Sequence, residues 1–366
     1  MCTLKPLILL ALGQRAAGHG AVTWPPPRNG VDRDLAPWNG PVPVHPPVVE
    51  NMSGWCPAPQ RNGSVTGFNG QACFWFSNGC SIGCPTCDGT SRGPIPNSPD
   101  RKWRRKFNTC NSTRARATVC DPKYRTVNRG AACGAKDDWY YYSPWRAPGS
   151  APVFDSCGMA GGHLPPNGGF GGIYVNTSHA KLGDRGSKVL PKQDFGVKWA
   201  AGDVVEVAWT IEANHGGGYQ YRLCPAGSTL DEDCFQKIPL EFVGRQSLRW
   251  GGANGTQIFF EGVYLREGTV PKGGMWAVNP VPRNDENQTG KGFQPHCKHP
   301  IPKSQCQGMI DGATAVDNLE IVDYVRIPAR LPAGAYVLGW RWDCEESNQI
   351  WQSCSDVTIA GAPVWV

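Results

Sequence analysis

Two of the seven histidines stand where a metal chelate can form. Residues 1–18 carry an early cation, Lys5, a short apolar run over residues 7–12, and the small residues Ala16, Ala17 and Gly18. That is the layout of a secretory signal peptide cut after Gly18, which would make His19 the first residue of the mature chain. A terminal histidine offers its α-amine and one imidazole nitrogen as a bidentate chelate. A second imidazole opposite completes a planar three-nitrogen set, the tetragonal arrangement that copper(II) prefers. His215 is the candidate, in Ala213-Asn214-His215 followed by three glycines, just past an alternating stretch that ends near Ile211. The other histidines offer less. His45 lies in a proline-rich loop, and His163 and His179 in glycine-rich or polar stretches. His296 and His299, in a His-Cys-Lys-His segment, read as surface loop.

The elements that must hold such a site are strands. The chain has 366 residues with 46 Gly and 33 Pro, too many breakers for a helical protein and without the strict period of collagen. Charged residues make up 18 %, which excludes a charged coiled coil or a disordered tail as the main architecture. Period-two alternation begins at residues 203–211, where Val205, Val207, Trp209 and Ile211 share a face. Residues 219–223, 238–243, 257–265, 321–327, 335–342 and 355–360 are further strand candidates. Short strands with Gly/Pro-rich turns imply an all-β, immunoglobulin/fibronectin-III-like β-sandwich with long disulfide-linked loops. With no repeat or linker, residues 19–366 read as one domain, with a loop-rich elaboration at about 90–165.

The apolar run at the start is too short to span a bilayer, and no other segment is longer, so a secreted, soluble monomer is expected. A basic run over residues 101–106, with Trp103 inside it and Arg114 and Arg116 nearby, is the one strong charge cluster. At a formal charge of +6 on a secreted chain it reads as a solvated loop face, not a nucleic-acid site. The 16 cysteines should mostly be disulfides in an oxidising compartment, and loss of Cys2 with the signal peptide leaves an odd number. Cys73, Cys80, Cys84 and Cys87 therefore read as disulfide staples and not as a zinc knuckle or redox pair. Cys224 with Cys234, and Cys344 with Cys354, each flank a short loop beside predicted strands and are expected to pair. Sequons at Asn51, Asn62, Asn111, Asn176, Asn254 and Asn287 fit the same compartment.

Three stretches in order resemble the lytic polysaccharide monooxygenases, secreted copper enzymes built on an immunoglobulin-like sandwich. They are the start His19-Gly20-Ala21-Val22-Thr23-Trp24, the segment Ala213-Asn214-His215 with its glycines, and the ending from Trp340 to Ile359. The resemblance implies that His19 and His215 form a histidine brace around one copper ion. It puts Trp351, five residues before Asp356, where the family carries an aromatic residue beside the metal, usually Tyr or Phe. Tryptophan has no oxygen to coordinate. Gln349 matches a position whose amide meets an oxygen species on copper, and Ala213 a small residue that leaves the other axial face open.

The implied activity is oxidative cleavage of glycosidic bonds in an insoluble polysaccharide, chitin or cellulose first. It requires an external electron donor and dioxygen or hydrogen peroxide as co-substrate. Two other classes remain: a non-catalytic copper-binding protein in which Trp351 blocks turnover, and a polysaccharide-binding module that stacks aromatic side chains on sugars. A glycoside hydrolase is disfavoured, because Glu345 and Glu346 are sequence neighbours with no opposing carboxylate identified.

Overall fold

The computed structural model of the chain describes residues 19–30, 58–59, 65–66, 74–87, 116–126, 132–135, 138, 140–164, 174, 176–250, 256–281 and 319–361, excluding the side chains of His19, Ala58, Pro59, Val65, Thr66, Glu212, Ala213, Trp250, Thr256 and Leu319. His45, His296, His299, Cys73 and the basic run lie outside those residues. The described chain forms strands numbered in chain order. One sheet runs β1 (His19–Trp24), β7 (Val204–Ala213), β14 (Leu319–Arg326), β10 (Gln246–Trp250), β11 (Thr256–Phe260), with β9 (Glu241–Phe242) also pairing β14. The other runs β12 (Tyr264–Leu265), β13 (Trp276–Val278), β8 (Gly218–Pro225), β15 (Gly334–Asp343), β16 (Ile350–Ala360), β4 (Trp75–Ser77), β5 (Met159–Ala160). In that sheet β6 (Lys198–Ala200) joins β16 in parallel, and β2 (Ala58–Pro59) with β3 (Val65–Thr66) forms a separate ribbon.

Alternation explains how the two sheets meet. Val205, Val207, Trp209 and Ile211 of β7 join Ile321 and Val325 of β14 in one core with Tyr219, Tyr221 and Leu223 of β8 and Leu338, Trp340 and Trp342 of β15. The Trp209 ring lies 4.9 Å from Trp340 and 5.2 Å from Trp342, so aromatic contacts join the sheets at their centre. This is the expected all-β sandwich. No described helix is long and apolar enough to cross a membrane.

The large sheet is buried on its outer face too, and that face is charged. Arg341 and Asp343 point away from the aromatic core. Arg341 pairs with Asp343 at 2.6 Å and with Glu232 at 2.8 Å, while Arg222 holds the same Glu232 carboxylate at 2.6 Å. The two guanidinium groups hold the Glu232 carboxyl well below the usual carboxylate range against the opposing effect of burial. Residues 149–156 close over the cluster: Gly149 N–H donates to Asp343, Arg341 donates to the Ala151 carbonyl, and Ser156 donates to Glu232.

The disulfides correct one sequence expectation. Cys224 pairs with Cys234 as expected, across a Cα separation of 5.5 Å. Cys354 pairs instead with Cys157, and Cys344 is a buried free thiol. Strand register is the reason. Cys354 sits opposite Gly339 in the β15–β16 hairpin, whereas Cys344 lies past Asp343, which faces Ile350. Five residues of strand put Cys344 roughly 17 Å along the ladder from Cys354's partner position, beyond the reach of a disulfide. In the cysteine-rich patch, Cys87 bonds Cys80 and Cys84 is also disulfide-bonded, so the segment is stapled as expected.

A carboxylate inside the core sets a pH response. Asp323 of β14 is fully buried and accepts hydrogen bonds from Tyr219 and Gln246. Burial pushes its pKa up to about 7, outweighing those hydrogen bonds. The folded state thus binds this proton more tightly than the unfolded chain, whose carboxyl titrates near 4. Its contribution to stability is fully present below about pH 4 and is lost as pH rises through about 7. The expected loss is at most ~4 kcal/mol. The parent's urea midpoint should fall between pH 4.5 and pH 7.5, and that of Asp323→Asn should change less; equal falls would refute the assignment.

Candidate functional site

The first strand brings the chain start to the second histidine segment. His19 pairs with Ala213 across β1 and β7, and Gly20 pairs with Ile211. One step on β1 thus matches two on β7, a bulge at Glu212 of the kind that re-aims side chains beside sites. Gly20 is required by close approach: a Cβ there would lie 2.9 Å from the Thr210 carbonyl oxygen and 3.1 Å from the Trp342 ring.

His215 follows two residues after Ala213, in a loop held on every side. Asn214 donates to the Val281 carbonyl, while its side-chain oxygen accepts from Gly216 N–H and from Asn279. The His215 carbonyl accepts from both Glu345 N–H at 3.1 Å and Glu346 N–H at 3.0 Å. Trp342 Nε1 donates to the Gly216 carbonyl at 2.6 Å. Gly217 has φ +82°, and a Cβ there would sit 1.9 Å from the Asp343 carbonyl oxygen, so only glycine fits. The β15–β16 turn is therefore the seat of the His215 loop.

The same turn carries Gln349. Its carbonyl accepts from Cys344 N–H, its own N–H donates to Ser347 Oγ, and its side-chain oxygen accepts from that hydroxyl at 3.4 Å. Gln349 and His215 are thus held by neighbouring residues of one short turn. Cys344 lies inside it, and burial pushes its thiol pKa well up, which keeps it protonated.

Trp351 is placed differently. It faces the sandwich interior, stacked on Phe76 at 4.1 Å between ring centroids and 6.4 Å from Trp342. Its link to the histidine segments runs through Trp342, which packs on Gly20 and bonds Gly216. The indole nitrogen is a donor only, so this side chain supplies no metal ligand. His163 and His179 belong elsewhere, His163 contacting the Leu164 carbonyl and His179 donating its backbone N–H to Thr177.

The donor chemistry suits copper. In a chain that began at His19, the two imidazoles and the α-amine would be neutral nitrogen ligands when deprotonated, and the pairing of His19 with Ala213 would put that amine at the strand end that leads into His215. Among the described residues no set of three or more His, Cys, Asp or Glu side chains is grouped to hold a metal. A chelate completed by a terminal amine needs only two such side chains.

Sequence reasoning missed Thr126, Arg146 and Glu345, which surround the His215 loop from behind. Thr126 accepts from Gly217 N–H at 2.6 Å and donates to Glu345 at 2.6 Å, and Arg146 pairs with Glu345 at 3.2 Å. No local pattern marks a contact between residues 126 and 345.

No protein-family model matches the sequence. Among solved structures, the chain is similar to an AA15 lytic polysaccharide monooxygenase from Thermobia domestica in the Cu(I) state, at 17 % identity and a TM-score of 0.22, covering 45 % of this chain and 62 % of that one. It is similar to the cellulose-active monooxygenase CelS2 in complex with copper, at 14 % identity and a TM-score of 0.24, covering 48 % and 56 %. It is also similar to a chitin-binding domain from Burkholderia pseudomallei, at 13 % identity and a TM-score of 0.33, covering 94 % and 100 %. The chain thus spans less than two thirds of either monooxygenase, and at these identities no residue assignment transfers.

Proposed function

We propose that the protein, secreted and cut after Gly18, binds one copper ion through the His19 α-amine, the His19 imidazole and the His215 imidazole, and oxidatively cleaves glycosidic bonds in an insoluble polysaccharide. Chitin and cellulose are the leading substrates on the motif resemblance. The observation that carries the reading is the β1–β7 pairing, in which His19 lies opposite Ala213 with His215 two residues beyond. Copper reduced by an external donor supplies activation of dioxygen or hydrogen peroxide and oxidation of a sugar C–H bond.

The chain's own residues have narrower tasks. Asn214, Glu345 and Glu346 hold the backbone of the His215 loop, so the imidazole would meet a metal with little reorganisation. Gln349, with its side-chain oxygen engaged by Ser347, would have its amide N–H groups left to donate toward the site. By the motif resemblance, Ala213 would be the small residue that leaves access to the metal. Trp351 packs in the sandwich core against Phe76 and would bring no ligand. That last feature favours a second reading, a copper-binding protein without turnover.

One experiment separates the two. The His19-initiated protein is incubated with copper, a reductant and a panel of insoluble polysaccharides, and soluble products are analysed by mass spectrometry. Oxidised oligosaccharides from at least one polymer are expected. Copper-dependent peroxide without such products would favour the non-catalytic copper protein. Polymer binding without any copper effect would leave only a polysaccharide-binding module.

A further inference from the structure

Behind His215 the polypeptide closes a hydrogen-bonded ring that no local sequence pattern announces. The His215 carbonyl accepts from Glu345 N–H at 3.1 Å. The Glu345 carboxylate accepts from the Thr126 hydroxyl at 2.6 Å, and that same hydroxyl accepts from Gly217 N–H at 2.6 Å. Gly217 leads back through Gly216 to His215. A threonine hydroxyl has one donor and two acceptor sites, so it can fill both roles at once; an ionised carboxylate cannot. We propose that Thr126 and Glu345 are positioning residues for the His215 imidazole, and that the segment carrying Thr126 is part of the metal site and not an appendage to the sandwich. The proposal rests on the copper reading for what the imidazole binds, but not for how it is held.

The ring is built to resist loosening. Thr126, Glu345 and Arg146 are fully buried. The Glu345 carboxylate also accepts from Thr126 N–H at 2.6 Å and faces Arg146 Nε at 3.2 Å and Arg125 Nε at 3.9 Å. Arg146 is anchored on the far side by Asp138 at 2.6 Å. Charge-assisted hydrogen bonds of this kind are short and about twice as strong as neutral ones. The segment is further tied to the turn by Trp145 N–H, which donates to the Cys344 carbonyl at 3.2 Å. Both ends of the arc 215–217 are therefore held by one buried group pair, which fixes where the His215 side chain leaves the backbone. Partners hydrogen-bonded directly to a ligating side chain alter metal affinity by roughly 10–100-fold when removed, and groups that hold the ligand through its backbone, as here, should act at the lower end of that range.

The test uses the chain beginning at His19 with Thr126→Val, which deletes the hydroxyl at nearly constant volume, and Thr126→Ser, which keeps it. Copper(II) affinity is measured by calorimetry, ligation by electron paramagnetic resonance, and the metal-free His215 ring by its nitrogen-correlated NMR signals. Thr126→Val is expected to weaken copper(II) binding on the order of tenfold, shift the resonance parameters and move the His215 ring signals. Thr126→Ser should restore all three. Parent-like affinity, spectrum and ring signals in Thr126→Val would overturn the proposal, even if its melting temperature fell, because that is the result of a purely structural staple. Should the parent itself not bind copper, the copper reading fails. The ring signals then decide alone: displaced in Thr126→Val and restored in Thr126→Ser they uphold positioning, and unmoved they refute it.

Discussion

One glycine placed ahead of His19 is expected to lower copper(II) affinity by at least on the order of a hundredfold, since losing a first ligand must cost more than losing a supporting group. The cause lies in the nitrogen. A terminal α-amine titrates near 8 and keeps an available lone pair. In a peptide bond that lone pair is delocalised into the carbonyl, so the extended chain loses both a ligand and the chelate ring it closes. The fold should not change, because β1 pairs with β7 through backbone groups that the extra residue leaves in place. Any difference then reports the chelate. Calorimetry with copper(II) on the two forms gives the affinity, and electron paramagnetic resonance gives the change in ligation. His215→Ala should also weaken the site, while His296→Ala should leave it nearly unchanged. Equal affinity in native and extended forms would remove the brace, and the proposed oxidative cleavage with it.

Whether a strand is legible in the sequence depends on whether its second face is exposed or covered. Residues 203–211 are legible because β7 turns Val205, Val207, Trp209 and Ile211 to the core and places Glu206, only partly buried, on the other face. Sequence alternation starts the last strand at 355, but β16 begins at Ile350. Both of its faces are buried, so Trp351 and Ser353 on one side and Gln352 and Cys354 on the other show no apolar–polar contrast. Strand β10 escapes the sequence pattern for a related reason. Arg249 looks like a surface residue, yet it is buried between Glu206 and Glu320 at 3.0 and 2.9 Å. The candidate ligands His19 and His215 are readable because their chemistry depends on chain position and residue type. The groups behind the His215 loop are not, because Thr126 and Glu345 meet only through the tertiary fold.

Among the disulfides of the described residues, removing the Cys157–Cys354 bridge is expected to be the most damaging. The two residues are separated by 197 positions, and in the chain-entropy model closing a loop of that size stabilises by about 5 kcal/mol, against about 3 kcal/mol for a ten-residue loop such as that of Cys224–Cys234. The bridge also has a mechanical role. Cys354 lies on the outer face of β16, and Cys157 belongs to the turn whose Ser156 hydroxyl bonds Glu232, so the link pins residues 149–156 over the buried Arg341–Glu232–Arg222 cluster. Without it, opening of that cover would let more water reach charges that are now paired with little solvent contact. The double variant Cys157→Ala, Cys354→Ala should therefore lose several kcal/mol in a denaturant titration, more than the double variant at 224 and 234. Cys344→Ala supplies the discriminating control, since it deletes a thiol that bonds no other cysteine and should cost far less than either pair. Non-reducing peptide maps should join the fragments containing Cys157 and Cys354. A fragment linking Cys344 to Cys354, or a loss for Cys344→Ala as large as that of the 157–354 double variant, would mean that the hairpin register of β15 and β16 is wrong. The seat of the His215 loop would then have to be redrawn, because Glu345 and Gln349 owe their places to that register.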